Sequence, residues 1–95
     1  MKHYTLLKLA PGADPVEVQE RIWKMCRKLD EELDWLNRPV VVRRCEDIES
    51  SYDLMVTFEL DDEACLEQYL AHPLTKKLME KLDGLVAEKA TFDRY

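Results

Sequence analysis

The chain has 95 residues, of which 46% are hydrophobic and 36% charged, proportions typical of one globular domain and not of a disordered chain. The formal net charge of -6 and the absence of a long Lys/Arg cluster exclude a nucleic-acid partner, because the chain repels a phosphate backbone. No stretch approaches the ~20 apolar residues that span a bilayer and no signal-peptide layout is present, so we expect no membrane partner and a cytoplasmic location.

The first half of the chain predicts a strand followed by a long helix. His3 to Leu9 alternates in the manner of a strand that has His3, Thr5, Leu7 and Leu9 on one face. Asp14, Pro15 and Glu17 have the order of an N-cap, a first helical position and an acidic N3 residue. The helix then carries one apolar stripe made of Val18, Ile22, Met25, Cys26, Leu29, Leu33 and Leu36. We expect Asn37-Arg38-Pro39 to end it.

The second half predicts two strands, a broken helix and a last strand. Val40 to Cys45 is β-branched, residues 46–51 form a polar loop, and residues 52–60 alternate most clearly. Asp61 and Asp62 can cap a helix that we expect to run from about Glu63 to Ala71 or His72. Pro73 interrupts that helix, and the helical face continues through Leu74, Leu78, Leu82 and Leu85. Glu88 to Tyr95 has a moderate strand pattern.

This β-α-β-β-α-β order predicts an α+β fold of the ferredoxin-like kind, in one domain over residues 1–95. Right-handed crossovers give a four-stranded antiparallel sheet with two helices on one face. The uncovered face would carry Tyr4, Leu6, Val41 or Val42, Met55, Thr57 and Ala90. Because that face is too apolar to be left in water, we predict that two sheets pack face to face in a homodimer.

The three cysteines, Cys26, Cys45 and Cys65, are widely spaced and form no C-x-x-C pair. This argues against a disulfide scaffold and a structural zinc site, and favours small apolar packing residues in a reducing compartment. A reactive thiol at Cys65 is the alternative, because it lies in the first turn of a predicted helix. His3 and His72 have no nearby carboxylate or cysteine in the predicted fold, so we expect no metal site and no cofactor.

Candidate site residues cluster in the segment from Tyr69 to Thr75. A phenol, an imidazole and a hydroxyl follow one another at Tyr69, His72 and Thr75. Residues at i, i+3 and i+6 lie on roughly one side of a helix, and that side can line a small pocket.

Each candidate also has a structural interpretation. His72 is either a general base or ligand donor, or it hydrogen-bonds the backbone near Pro73. Tyr69 either orients a carbonyl or is a core aromatic with its hydroxyl tied to a neighbour. His3, on the helix-facing side of the first strand, either reaches the pocket rim or is an ordinary polar residue.

The chain resembles the stress-responsive dimeric A/B-barrel domain, a branch of the dimeric α+β barrel superfamily. The matching pieces are His3-Tyr4-Thr5-Leu6-Leu7-Lys8-Leu9, Tyr52-Asp53-Leu54-Met55-Val56-Thr57-Phe58, Tyr69-Leu70-Ala71-His72-Pro73 and Phe92-Asp93. The resemblance implies a homodimeric barrel of two four-stranded sheets, with a pocket between sheet and helices in each subunit. His3, Tyr69 and His72 match positions of the family.

One plant member of this family is a polyketide cyclase that closes a linear tetraketide by aldol chemistry without metal or cofactor. Its motif is Tyr-x-x-His-Pro-x-His, in which the last histidine is a base beside the tyrosine. Here Thr75 occupies that last position. A threonine hydroxyl does not act as a general base at neutral pH without help, so this chain departs from the cyclase pattern.

Three functional hypotheses follow. The first is a homodimeric barrel whose pocket, lined by His3, Tyr69, His72 and Thr75, holds a small hydrophobic or phenolic ligand. The second is a cofactor-independent enzyme, similar to a polyketide cyclase or a monooxygenase, with Tyr69 and His72 as catalytic residues. The third is a structural or interaction protein whose pocket is filled by its own side chains.

Overall fold

In the computed structural model, which describes residues 1–46 and 48–95, the chain forms an α+β fold. The elements in these ranges are β1 (Lys2–Leu9), α1 (Pro15–Glu32), β2 (Leu36–Arg43), β3 (Leu54–Leu60), α2 (Glu63–Ala71), α3 (Pro73–Leu82) and β4 (Val86–Arg94). The strands make one antiparallel sheet in the order β2-β3-β1-β4. The predicted ferredoxin-like class is confirmed. Position 47, in the predicted polar loop, lies outside the described residues.

The core lies between one face of the sheet and the helices. Alternation places the helix-facing side chains of β1 and β3 in it, as predicted, and Phe58 is among the most buried of them. The apolar stripe of α1 covers this face with Val18, Ile22, Met25, Cys26 and Leu29, all of them buried. Apolar burial on this scale is the main driving force for folding a chain of this size.

The second strand begins earlier than predicted. Helix α1 ends at Glu32, and the Leu33 N–H donates to the Leu29 carbonyl as a C-terminal cap. Leu36, predicted as the last residue of the helical stripe, instead opens β2, is 0% exposed and pairs with Leu60. Residues 37–39 therefore do not end a helix but lie in β2, where the register shifts between Asn37 and Val40.

Arg38 and Pro39 explain the register shift in β2. Pro39 has no N–H to donate to a neighbouring strand, and Arg38 has a φ of 51°, in the left-handed region. A local irregularity accommodates both residues while the pairing with β3 continues on either side. Other strand boundaries differ from the predicted ones by one or two residues; for example, β3 begins at Leu54 and β4 at Val86.

The second predicted helix is divided in two at the expected position. His72 has an extended backbone, with φ -65° and ψ 137°, and it ends α2 and precedes α3. Pro73 occupies the first turn of α3, where its missing N–H costs nothing. The two helices therefore meet at an angle instead of forming one continuous rod.

No helix of the described ranges covers the other face of the sheet. Leu6 pairs with Met55 on one side and Ala90 on the other, and Met55 pairs with Val42, so all four share this face. Val41, the alternative to Val42, is buried on the helix side. Exposed Val40, Val42 and Phe92 belong to this open face, and Phe92 is 64% exposed. None of the helices in the described ranges is long and apolar enough to span a bilayer.

Candidate functional site

A cavity of about 370 Å³ lies between the helix-facing side of the sheet and the helices. Its walls are mostly apolar and include Leu7, Ile22, Met25, Leu29, Val56 and Phe58. A cavity of about 150 Å³ holds benzene, so this one has room for a substituted ring or a two-ring compound. Three of the four residues that the sequence assigned to a pocket, His3, Tyr69 and Thr75, are in its lining.

His3 contributes an imidazole from β1 that is 3% exposed. Its Nδ1 lies 2.5 Å from Oδ1 of Asp93, which stands opposite it on β4. Its Nε2 lies 3.2 Å from the hydroxyl of Thr5, another residue of the cavity lining. An ionised carboxylate only accepts, so the Nδ1–H donates to Asp93; in the neutral imidazole Nε2 then carries the lone pair and accepts from the Thr5 hydroxyl. His3 lies in the lining of the cavity, which is the position that its pocket interpretation predicted.

Tyr69 contributes a phenol from α2. Its ring packs edge-on against Phe58, with centroids 5.0 Å apart, and against His3, with centroids 5.8 Å apart. Burial raises the pKa of Tyr69 well above its ordinary value, so the phenol is neutral at physiological pH. No hydrogen bond joins its hydroxyl to another residue of the described ranges. The Tyr69 ring therefore packs as a core aromatic, but its hydroxyl is not tied to a neighbouring residue of the described ranges as the structural interpretation expected.

Thr75 contributes a hydroxyl from the first turn of α3. The residue is 3% exposed and lines the cavity. Its Oγ1 is buried and has no hydrogen-bond partner in the described part of the chain. Leaving a buried hydroxyl unpaired costs about 1–3 kcal/mol. A polar atom within the cavity would remove that cost.

His72 is not among the described residues that line the cavity. Its Nδ1 accepts a hydrogen bond from the Leu74 N–H, and its Nε2 lies 3.8 Å from Glu32 Oε2. The predicted single face of Tyr69, His72 and Thr75 requires one continuous helix, and the extended backbone at His72 breaks it. The backbone hydrogen bond near Pro73 that its second interpretation described is present, and a catalytic role for His72 stays a prediction.

Sequence reasoning assigned no role to Asp93 or Thr5. Asp93 is 90 positions from His3, and only the pairing of β1 with β4 brings the two together. Thr5 follows His3 by two residues and therefore lies on the same face of the strand. This spacing predicts that the two side chains are neighbours, but it does not predict a hydrogen bond between them. Asp93 appeared in the matching family segment without a function.

The cysteines offer no reactive nucleophile in the cavity. Cys26 lines it, but burial raises the pKa of this thiol to about 12. Burial, with help from Asp62, also raises the pKa of Cys65, which opposes the reactive-thiol alternative. All three cysteines are free. Among residues 1–46 and 48–95, no group of three His, Cys, Asp or Glu side chains is placed to hold a metal ion.

Solved structures of similar fold are known from several organisms. A dimeric ferredoxin-like protein of unknown function from Bacteroides fragilis is 17% identical, with a TM-score of 0.82 over 98% of this chain and 92% of its own. A ferredoxin-like Dabb protein from Mesorhizobium loti is 15% identical, with a TM-score of 0.71 over 99% and 93%. A hydroxynitrile lyase from Passiflora edulis is 6% identical, with a TM-score of 0.76 over 96% and 87%.

These identities establish a shared fold and leave function open. A comparison with curated protein sequences finds no significant match. The family model of the stress responsive A/B barrel domain, in contrast, matches residues 1–95. The match covers the β1 histidine, the broken helix and the C-terminal strand that together build the cavity. The chain therefore belongs to the stress responsive A/B barrel domain family.

Proposed function

We propose that this protein is a homodimeric barrel that binds a small, neutral hydrophobic or phenolic molecule in the cavity of each subunit. The observation that carries the proposal is the buried, unpartnered hydroxyl of Thr75 inside a cavity of about 370 Å³. A core that served packing alone would be filled by side chains and would leave few buried polar groups unpaired. The purely structural hypothesis is therefore the weaker one.

The chemistry of the lining indicates what kind of ligand fits. Its apolar walls favour a ring or a short hydrocarbon skeleton. Tyr69 is a neutral donor and Thr75 both donates and accepts, so a carbonyl or phenolic oxygen can satisfy them. An isolated charge buried among these side chains would lose its hydration without compensation, which favours a ligand that is neutral at its buried end.

The homodimer is supported by the open face of the sheet. Val40, Val42 and Phe92 expose apolar surface there, beside Leu6 and Met55. Contiguous apolar surface of this kind is uncommon on a monomer and typical of an interface. The related structure from Bacteroides fragilis is described as dimeric. A cytoplasmic location is part of the proposal, since exposed Cys45 is a free thiol and reducing compartments preserve such thiols.

Binding can be tested with a panel of neutral aromatic ketones and phenols, measured by NMR chemical-shift titration. Thr75→Val keeps the side-chain shape and removes the hydroxyl, so we expect affinity for the best ligand to fall about tenfold. Thr57→Val is the matched control, because Thr57 is equally buried but lies on the opposite face of the sheet. Unchanged affinity in Thr75→Val, or no binding across the panel, would refute the proposed pocket.

A cofactor-independent enzyme is the second candidate, and the His3–Asp93 pair in the cavity wall favours it. The hydroxynitrile lyase from Passiflora edulis has a similar fold, which shows that this architecture supports catalysis. With Tyr69 and His72 as catalytic residues, Tyr69→Phe and His72→Ala would both abolish turnover of a substrate. His72→Asn keeps a capping acceptor without an imidazole, so it separates a chemical role of His72 from a positioning one.

A further inference from the structure

We propose that His3 and Asp93 are an acid–base pair, and that they catalyse proton transfer at a carbon next to a carbonyl group in a neutral ligand. This inference rests on the proposed ligand cavity and adds a reaction to it. The proposal is supported by two contacts of the His3 ring, one with Asp93 and one with Thr5 at the cavity wall.

The contacts of the imidazole define which nitrogen can act. Nδ1 is occupied by the hydrogen bond to Asp93, which holds the ring in one orientation and one tautomer. Nε2 is then the basic nitrogen, and its present partner is the neutral Thr5 hydroxyl on the cavity side. A carboxylate behind a histidine stabilises the imidazolium that forms when the ring takes a proton. The pair thus has the arrangement of a general base.

Burial makes this arrangement effective. His3 is 3% exposed, whereas the side chain of Asp93 is 33% exposed. The basic nitrogen therefore works in a mostly apolar cavity, while the carboxylate behind it remains in contact with solvent. Electrostatic interactions are stronger in such surroundings than in water. The titratable groups that contact the ring are Asp93 from β4 and Tyr69 from α2.

Two hydroxyls of the same cavity can serve the oxygen of the substrate. The buried Thr75 hydroxyl has no partner among residues 1–46 and 48–95, and burial raises the pKa of the Tyr69 phenol, which stays protonated. Both can donate a hydrogen bond to a carbonyl oxygen as negative charge develops on it. Neither can replace His3 as the base, because both are neutral hydroxyls at physiological pH.

Proton transfer by this pair requires no cofactor. The Nε2 lone pair takes the proton from the carbon, and the C–H electron pair forms a carbon–carbon double bond. The carbonyl π pair moves to oxygen, giving an enolate that the Thr75 hydroxyl stabilises. The imidazolium, stabilised by Asp93, exchanges this proton with solvent water and then returns a solvent-derived proton to the enolate carbon, so the net change is isotope exchange; delivery to the enolate oxygen instead gives keto–enol isomerisation.

The experiment uses 2-tetralone, a neutral two-ring ketone with a ring CH₂ on each side of its carbonyl, of which the benzylic CH₂ is followed. The protein is incubated with 2-tetralone in buffered D₂O, and NMR follows loss of the CH₂ signal and, in the same sample, binding through methyl shifts of the protein. We expect exchange well above the buffer rate. His3→Gln should lower that excess by about 100-fold or more, within the range of general-base catalysis.

Asp93→Asn tests the second member of the pair. An amide can hold the ring in the wrong tautomer, so we expect exchange to fall by more than about tenfold and its pH profile to change, with binding retained. Asp53→Asn is the matched control, since Asp53 is a partly buried carboxylate that accepts from the Leu9 N–H outside the cavity lining. It should leave exchange unchanged.

A measurement on the unmodified protein keeps the test independent of whether the variants fold. The ¹⁵N shifts of His3 should show a protonated Nδ1 and an unprotonated Nε2 in the neutral ring. Binding of 2-tetralone without exchange overturns the acid–base proposal and leaves the ligand cavity standing. Exchange that persists in folded His3→Gln, or an Nε2-protonated ring, also overturns it; absence of binding across the ketone and phenol panel overturns both.

Discussion

The Nδ1 atom of His72 accepts a hydrogen bond of 3.1 Å from the backbone N–H of Leu74. Through this contact a histidine serves as the N-cap of α3, a position usually held by Ser, Thr, Asp or Asn. The same residue ends α2, so it lies at the break that separates Tyr69 from Thr75. Both of those side chains reach the cavity, and the residue between them does not.

Replacement of His72 tests the capping role. In His72→Ala the first turn of α3 loses an acceptor, so we expect the free energy of unfolding to fall by about 1 kcal/mol. His72→Asn supplies another capping oxygen and should restore most of that loss. Chemical denaturation of the three proteins gives the comparison. Equal stability of the alanine and asparagine variants would contradict a capping role.

Removal of the Thr75 hydroxyl should stabilise the ligand-free protein. The Oγ1 atom is buried and has no partner in the part of the chain that the structure describes, and Thr75→Val replaces it with a methyl group of similar size. We expect the free energy of unfolding to rise by about 1 kcal/mol. Thr75→Ser, which keeps the hydroxyl and loses the methyl group, should instead be destabilised. Thermal unfolding without ligand is the measurement, and a lower melting temperature in Thr75→Val would show that the hydroxyl has a stabilising partner.

Alkaline pH should destabilise the fold through two buried groups. Burial raises the pKa of Cys26 from 9.0 to about 12 and also raises the pKa of Tyr69. From pH 9 upwards the unfolded chain releases the Cys26 proton while the folded chain retains it, so stability is full below that pH and falls as pH rises. The limiting slope is about 1.4 kcal/mol per pH unit for each such group.

Denaturation at increasing pH checks this expectation. Cys26→Ala removes one of the two titrating groups, so its stability should decline less steeply above pH 9 than that of the unmodified protein. Cys45→Ala is the control, because Cys45 is an exposed thiol. Parallel curves for the unmodified protein and Cys26→Ala would contradict the assignment.

A charge on the open sheet face should separate the proposed dimer. Leu6 lies between Met55 and Ala90 on that face, so Leu6→Asp places a carboxylate in the middle of an apolar interface. We expect light scattering to give the monomer mass at concentrations where the unmodified protein is dimeric. Val16→Asp is the control, since Val16 is an exposed apolar residue on α1 instead of the sheet. A dimer that survives Leu6→Asp would place the interface elsewhere.

Local patterns predicted the elements well where one periodicity was dominant. The alternation of β1 and β3 placed His3 and Phe58 on the buried face, and the Asp14-Pro15 pair marked the start of α1. Leu36 was misassigned because it continues the helical spacing and also suits a strand. Pairing with Leu60 decided between the two, and such a contact has no local signal.

In the candidate site, too, local patterns predicted some features and tertiary contacts decided the others. The order of elements, the break at Pro73 and the candidate residues His3, Tyr69 and Thr75 follow from the sequence, because caps, proline and periodicity act over a few neighbouring residues. Tertiary structure alone decided that His72 turns away to cap α3, that Thr75 is buried without a partner, and that Asp93 meets His3. Those outcomes depend on the exit angle of one broken helix and on the pairing of the first strand with the last, which only the folded chain specifies.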